Sequence, residues 1–230
     1  MIRHSSLPKL AQCPCYESNP VAGPAAERGT RMDAAFRALL QGKPVEVALT
    51  TEELEAVAWA VSTARTLADG APIEADEDKL KVRTPGMEHE GTEDARTETK
   101  ATSYDLKSGS MRSYYEQAAA YCLGNMDRAY ALEWTMHLLF CDQREVVEYH
   151  FTYETASQVV GDVLASATDP NRKPTVCEYC SWCKKADTCV ARTAPVVETL
   201  AVVETPSVSL EALKAEIVGD PARLGRFLQA

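Results

Sequence analysis

Helical and strand periodicities alternate along this chain of 230 residues, and that alternation predicts an α/β domain. Two further observations agree with it. Hydrophobic residues make up 45% and charged residues 25%, the balance of a globular chain able to bury a core, which excludes a wholly disordered chain or a collagen-like repeat. No apolar stretch approaches the ~20 residues of a membrane-spanning helix. The start, Met1-Ile2-Arg3-His4-Ser5-Ser6, has no charged segment followed by an apolar run, so the expectation is a cytoplasmic chain with no membrane partner and reduced thiols.

The elements follow in order. Residues 26–41 read as a helix, with Met32, Ala35, Phe36 and Leu39 at helical spacing. Residues 51–68 make a second helix, capped by Thr50 or Thr51, acidic in its first turn and ended by Gly70. Lys79–Arg83 alternates as a strand and Pro85-Gly86 turns it. Residues 92–107 read as two short strands and 112–124 as a helix. Strands follow at 133–140 and 145–153, joined by a turn at Cys141-Asp142-Gln143, and a helix at 155–167 leads into a cysteine-rich run. The Val-, Thr- and Pro-rich stretch 191–208 reads as a linker before a short amphipathic helix at 209–228. This divides the chain into a domain over 1–192 and an appendage over 193–230.

Acidity and cysteine content are the unusual entries. The net charge is −10, and residues 41–100 carry seven Lys or Arg against fourteen Asp or Glu, whereas residues 1–40 carry five against three. An acidic chain is not a nonspecific nucleic-acid coat, but uneven charge leaves room for a basic groove. Of the eight cysteines, Cys177, Cys180, Cys183 and Cys189 fall within thirteen residues. In a reducing compartment that spacing points to thiolate ligands of Zn²⁺ or an iron–sulfur cluster. Either all four close one local site, or Cys180, Cys183 and Cys189 recruit a distant partner from Cys13-Pro14-Cys15. Cys122 and Cys141 fall in an expected helix and strand, where buried inert thiols are the simpler reading.

The sharpest local chemistry is Asp105-Leu106-Lys107. On a strand Asp105 and Lys107 share one face while Leu106 points to the other. An acid beside an amine suits metal-dependent phosphodiester hydrolysis, in which the acid holds a divalent cation and the amine positions the attacking water. A tight hairpin centred on Thr99-Lys100 sets Asp94 opposite Asp105, roughly 5 Å away, where a hard cation such as Mg²⁺ relieves the repulsion. Gln117 and Tyr121, four apart, lie on one face of the helix that follows. Scattered charges on a solvated hairpin are the competing reading of the acids, and an ordinary core tyrosine with a surface amide is that of the helical pair.

In this order the segments Ser6-Leu7, Cys13-Pro14, Arg28-Gly29-Thr30-Arg31-Met32-Asp33, Gly91-Thr92-Glu93-Asp94, Asp105-Leu106-Lys107-Ser108-Gly109, Gln117 to Tyr121 and Cys180-x2-Cys183-x5-Cys189 resemble the RecB-type branch of the PD-(D/E)XK nucleases. The likeness is to its iron–sulfur cluster-containing exonucleases, among them the CRISPR-associated cluster nucleases, the AddB nuclease domain and phage relatives. It covers roughly residues 5–192. It implies a PD-(D/E)XK core, a small mixed sheet flanked by helices, with a cysteine-rich C-terminal region. It further implies Mg²⁺ or Mn²⁺ held by Asp94, Asp105 and the Leu106 carbonyl, with Lys107 serving the water and Gln117 and Tyr121 forming the helical motif. A 4Fe-4S cluster on Cys13, Cys180, Cys183 and Cys189 is also implied, with structural Zn²⁺ the alternative and Cys15 or Cys177 as substitute ligands.

Two departures stand out. Family members carry His, a metal ligand, where this chain has Asp33, and Asp can also bind a hard cation. The stretch Ala95–Ser103 is polar where family strands are aliphatic, which predicts a thinner core beneath the site. The resulting expectation is a metal-dependent DNA nuclease, an exonuclease of phage or bacterial recombination, repair or replication acting on ends or single strands. Arg28, Arg31, Lys184 and Lys185 are the expected phosphate contacts, and the tail after 191 is a docking segment for a helicase, an annealing protein or a second copy. The rivals are a catalytically weakened DNA-binding or assembly protein on the same fold and a zinc-bearing interaction module.

Overall fold

The computed structural model describes residues 2–19 and 23–193. The chain divides into two compact units, Met1–Ala186 and Asp187–Ala230. The described part of the second unit, residues 187–193, includes a helical turn in which the Arg192 and Thr193 amides donate to the Cys189 carbonyl. The expected helix at 209–228, and the expected linker beyond residue 193, lie outside the described residues.

The first unit is mixed α/β. Its elements are α1 (Leu7–Gln12), α2 (Pro24–Leu40), α3 (Thr51–Ala68), β1 (Lys81–Arg83), β2 (Glu90–Thr92), β3 (Ala95–Thr97), β4 (Thr102–Lys107), α4 (Tyr115–Ala129), β5 (Glu133–Phe140), β6 (Glu145–Thr152) and α5 (Tyr153–Thr168). Four strands form one sheet in the order β3-β4-β5-β6, and β1 pairs with β2 in a separate ladder. The β3–β4 and β5–β6 pairs are antiparallel, whereas β4 and β5 are parallel, with α4 as the crossover.

Strand alternation assigns the two faces. Trp134, Met136, Leu138 and Phe140 pack with α1, α4 and α5 in one core. Tyr104, Leu106, Leu139 and Cys141 pack with Met32, Phe36, Val57 and Val61 of α2 and α3 in the other. Helix α3 begins in a capping box: Thr50 accepts from the Glu53 amide while the Glu53 carboxylate accepts from the Thr50 amide. Helix α4 runs past its expected end at Gly124 to Ala129. That glycine is a close-approach residue, since a Cβ there would stand 2.3 Å from Val82 Cγ1 and 2.8 Å from the Arg83 carbonyl oxygen. Among the described residues no helix is long and apolar enough to cross a membrane.

The polar segment Ala95–Ser103 does not thin the core. Ala95, Arg96, Thr97, Thr102 and Ser103 are all buried. Arg96 and Ser103 join a network around Glu93, which accepts from Arg96 Nη1 (3.0 Å), Ser103 Oγ (2.6 Å) and Asn125 Nδ2 (2.8 Å). Trp134 Nε1 donates to Ser103 Oγ (2.9 Å), and Arg96 Nη2 donates to the Lys79 carbonyl (2.7 Å). Buried polar groups bonded in this way hold a specific arrangement that an aliphatic strand would leave to packing alone, although Arg96 Nε itself is buried without a hydrogen-bond partner.

Candidate functional site

The site grows from the β3–β4 hairpin. Its pairs are Ala95↔Tyr104, Arg96↔Ser103 and Thr97↔Thr102, the register expected from a turn centred on Thr99-Lys100. Ala101 closes the turn with a left-handed backbone (φ 47°). Asp94 stands one residue before this ladder, close enough to Asp105 for the two charges to interact, and Asp105 lies on the face of β4 that looks toward α4. Both acids are buried, at 9% and 4% exposure. Burial, then the charges of Asp105 and Asp33, raise the Asp94 carboxyl well above its usual range, against the opposing pull of Arg37 and Lys107. Asp94 Oδ2 accepts from the Leu106 amide at 2.7 Å, which ties β4 to the residue before β3.

Lys107 shares that face and pairs with Asp105 Oδ2. Burial disfavours its ammonium, but the Asp105 and Asp94 carboxylates outweigh burial and raise its pKa, so it stays charged. The ammonium also reaches Gln117 Oε1 at 3.5 Å and lies 4.3 Å from the centre of the Tyr114 ring. Tyr121, one turn beyond Gln117, donates its hydroxyl to the Thr92 carbonyl at 2.9 Å. Burial first, then Asp105 and Asp94, push its pKa well up, so the phenol is a neutral tether rather than a base. His4 stacks on the Tyr121 ring (centroids 5.0 Å apart), and Gly91 leaves room for both, since a Cβ there would stand 2.6 Å from His4 Nδ1 and 2.7 Å from Tyr121 Cε1.

Asp33 enters from α2, but its carboxylate is turned to Arg37 of the same helix, Nε to Oδ1 3.0 Å. Arg37 also spans to Asp94 Oδ1 at 3.0 Å. Among the described residues no group of three or more His, Cys, Asp or Glu side chains is placed to hold a metal ion. The Asp94–Asp105 pair still fits a hard cation. Its donors are oxygens, Mg²⁺ keeps several waters and is bound by one or two carboxylates, and a cation relieves the repulsion from Asp105 that adds to burial in raising Asp94.

The cysteines present a different picture. Cys13 is buried and accepts from the Thr175 amide at 3.4 Å, and Cys180 accepts from the Cys177 amide at 3.2 Å. Burial raises the Cys177 thiol to about 11. The arm carrying Cys13 and Cys15 does meet the segment carrying Cys177, Cys180 and Cys183. Ser18 bridges Cys183, the Lys184 amide donates to the Glu17 carbonyl (2.8 Å), and Tyr16 donates its hydroxyl to the Trp182 carbonyl (3.1 Å). Hydrogen bonds thus make the junction between the two segments. Among the described residues no three of these sulfur atoms are placed to hold a metal ion. Cys122 and Cys141 are buried, burial raising the first thiol well above its usual range and the second to about 11.

Of the expected phosphate contacts, Arg28 is engaged elsewhere. It forks onto Asp142 (2.8 and 2.9 Å) and reaches Glu53 (3.1 Å), while Asp142 also accepts from the Gly109 amide (2.6 Å). Lys185 pairs with Glu17, and Arg31 stands 3.6 Å from Glu53. From the sequence, Arg37, Glu93 and Asn125 received no role, Glu93 entering only as part of the Gly91–Asp94 motif. Only Arg37 left a signal, its helical i,i+4 spacing from Asp33. No known protein family, curated protein or solved structure matches this chain.

Proposed function

We propose that the first unit is a divalent-metal-dependent phosphodiesterase acting on DNA ends or single strands, an exonuclease of the RecB-type PD-(D/E)XK kind. The observation that carries this reading is the convergence of Asp94, Asp105, Lys107 and Gln117, from a loop, a strand and a helix, around β4. A solvated hairpin has no reason to bury two acids and an amine together.

In this reading Asp94 and Asp105, with the Leu106 carbonyl, hold Mg²⁺ or Mn²⁺. The ion, when bound, supplies Lewis-acid polarisation of the scissile phosphate. Lys107 remains protonated beside Asp105 and orients the attacking water while offsetting charge that develops on the phosphate. Gln117 and the Tyr114 ring fix where the ammonium stands. Tyr121 anchors α4 to the Thr92 carbonyl and so sets the helix against the hairpin. The net charge of −10 makes binding to nucleic acid weak and salt-sensitive without a divalent ion.

The test is digestion of end-labelled single- and double-stranded DNA, and of RNA, with Mg²⁺, Mn²⁺ or chelator. The wild-type chain cleaves in the presence of metal, and Asp105→Asn and Lys107→Ala each lose on the order of 10²–10⁴-fold. Failure of the wild-type chain to cut any of these with either metal overturns the enzyme reading and leaves a binding or assembly protein.

A further inference from the structure

The chain already supplies a cation to the Asp94 carboxylate. Arg37 Nη2 stands 3.0 Å from Asp94 Oδ1, and the other oxygen of that carboxylate is taken by the Leu106 amide at 2.7 Å. Arg37 is nearly buried, with its side chain 11% exposed, and its Nη1 is buried without a hydrogen-bond partner. A guanidinium does not discharge by losing a proton in a protein, so the only way to remove its charge from Asp94 is to move it. It has somewhere to rest, because its Nε is bonded to Asp33 on the preceding turn of α2, a contact independent of Asp94.

We infer that Arg37 is an internal counter-cation that competes with a divalent ion for Asp94, the ion entering as the guanidinium withdraws onto Asp33. This rests on Asp94 and Asp105 being the divalent site. It gives Asp33 a role other than ligation: it is the alternate partner that keeps Arg37 paired in both states. Two positive groups cannot share one small buried carboxylate at low cost, whereas without either one the acids repel each other. Arg37 thus sets how much divalent ion the protein needs, and keeps the site folded when the ion is scarce.

The probe is Mn²⁺ alone, titrated into the full chain and followed by the electron-spin signal of the free ion, so activity is not the readout. Arg37→Gln binds Mn²⁺ at least about tenfold more tightly than wild type, and Arg37→Lys, which keeps a cation, stays within about threefold of it. Metal-free Arg37→Gln melts below wild type, and Mn²⁺ raises its melting temperature by more. Equal or weaker binding by Arg37→Gln, with binding lost in Asp105→Asn, overturns the competition and leaves the divalent site standing. No Mn²⁺ binding by either wild type or Arg37→Gln overturns both. A measurement on the unaltered protein guards against a misfolded variant: the Nε–H resonance of Arg37, identified by its loss in Arg37→Lys, shifts with Mg²⁺ in step with binding. A resonance that stays fixed through saturation overturns the inference.

Discussion

Asp105 and Lys107 stand on a strand with neighbours on both sides, whereas Cys177, Cys180 and Cys183 stand in and beside a single 3₁₀ turn, Glu178–Trp182. Both sets are close in sequence, and both use residue types that bind metals. On the strand, a spacing of two is already a geometry, because the pleat sends alternate side chains to one face. On the turn, a spacing of three sets no such relation. Around it Tyr179 is buried, Tyr16 donates to the Trp182 carbonyl, and Cys180 accepts from the Cys177 amide. Short motifs are therefore informative in proportion to the regularity of the element that carries them.

The difference is sharpest in what each region loses when one group is removed. Glu93 is fully buried and its charge is answered by Arg96. Arg96→Met leaves that acid without its cation and costs about 3–5 kcal/mol, measured as a shift in the urea midpoint with little change in slope. The double variant Glu93→Gln, Arg96→Met recovers most of the loss. By contrast Cys177→Ser, partly exposed on the turn, changes stability by less than about 1 kcal/mol. Equal losses in the two regions would show that the hairpin network is not what holds the site.

A smaller effect tests the junction on the cysteine side. Tyr16→Phe removes the hydroxyl that donates to the Trp182 carbonyl, a loss of about 1 kcal/mol. Its local signature is thiol labelling. Cys13, buried at 6% exposure in the native protein, reacts faster in the variant, whereas Cys122 and Cys141, at 0%, stay protected until the domain unfolds. Unchanged labelling of Cys13 would mean that the arm is held by other contacts.

The same contrast explains what could be read from sequence. Residues 133–140 match β5 and the hairpin register was legible, because apolar alternation and a tight polar turn are local signals. The six-residue α1 was missed, being too short to display a helical period. Gly124 read as a helix end because glycine breaks helices in isolation, and only the approach of β1 reveals its purpose. The polar stretch that holds Arg96 and Ser103 read as a thinner core, since polar residues are mostly exposed. Their burial follows from Glu93, Asn125 and Trp134, which arrive from separate elements. Arg37 belongs to this second kind, visible as a partner of Asp33 but not as a partner of Asp94, which lies 57 positions away.

The least of the expected effects concerns the clamp that joins α2 to the β5–β6 turn. The Arg28 fork on Asp142, with the Gly109 amide, holds the Asp142 carboxyl below its usual range. A folded-state pKa below the unfolded one contributes stability at pH values above the unfolded pKa, near 3.9, and that stability is lost as pH falls through the lower folded value. Because the pair is partly exposed, at 31% and 24%, its contribution is about 0.5–1 kcal/mol. Asp142→Asn melts below wild type at pH 7, and the gap closes as pH is lowered from 5 through the folded-state pKa of Asp142. High salt narrows the gap at neutral pH, as screening of an exposed pair requires. A gap that persists unchanged at low pH would assign the effect of the substitution to packing at the turn rather than to the charge of Asp142.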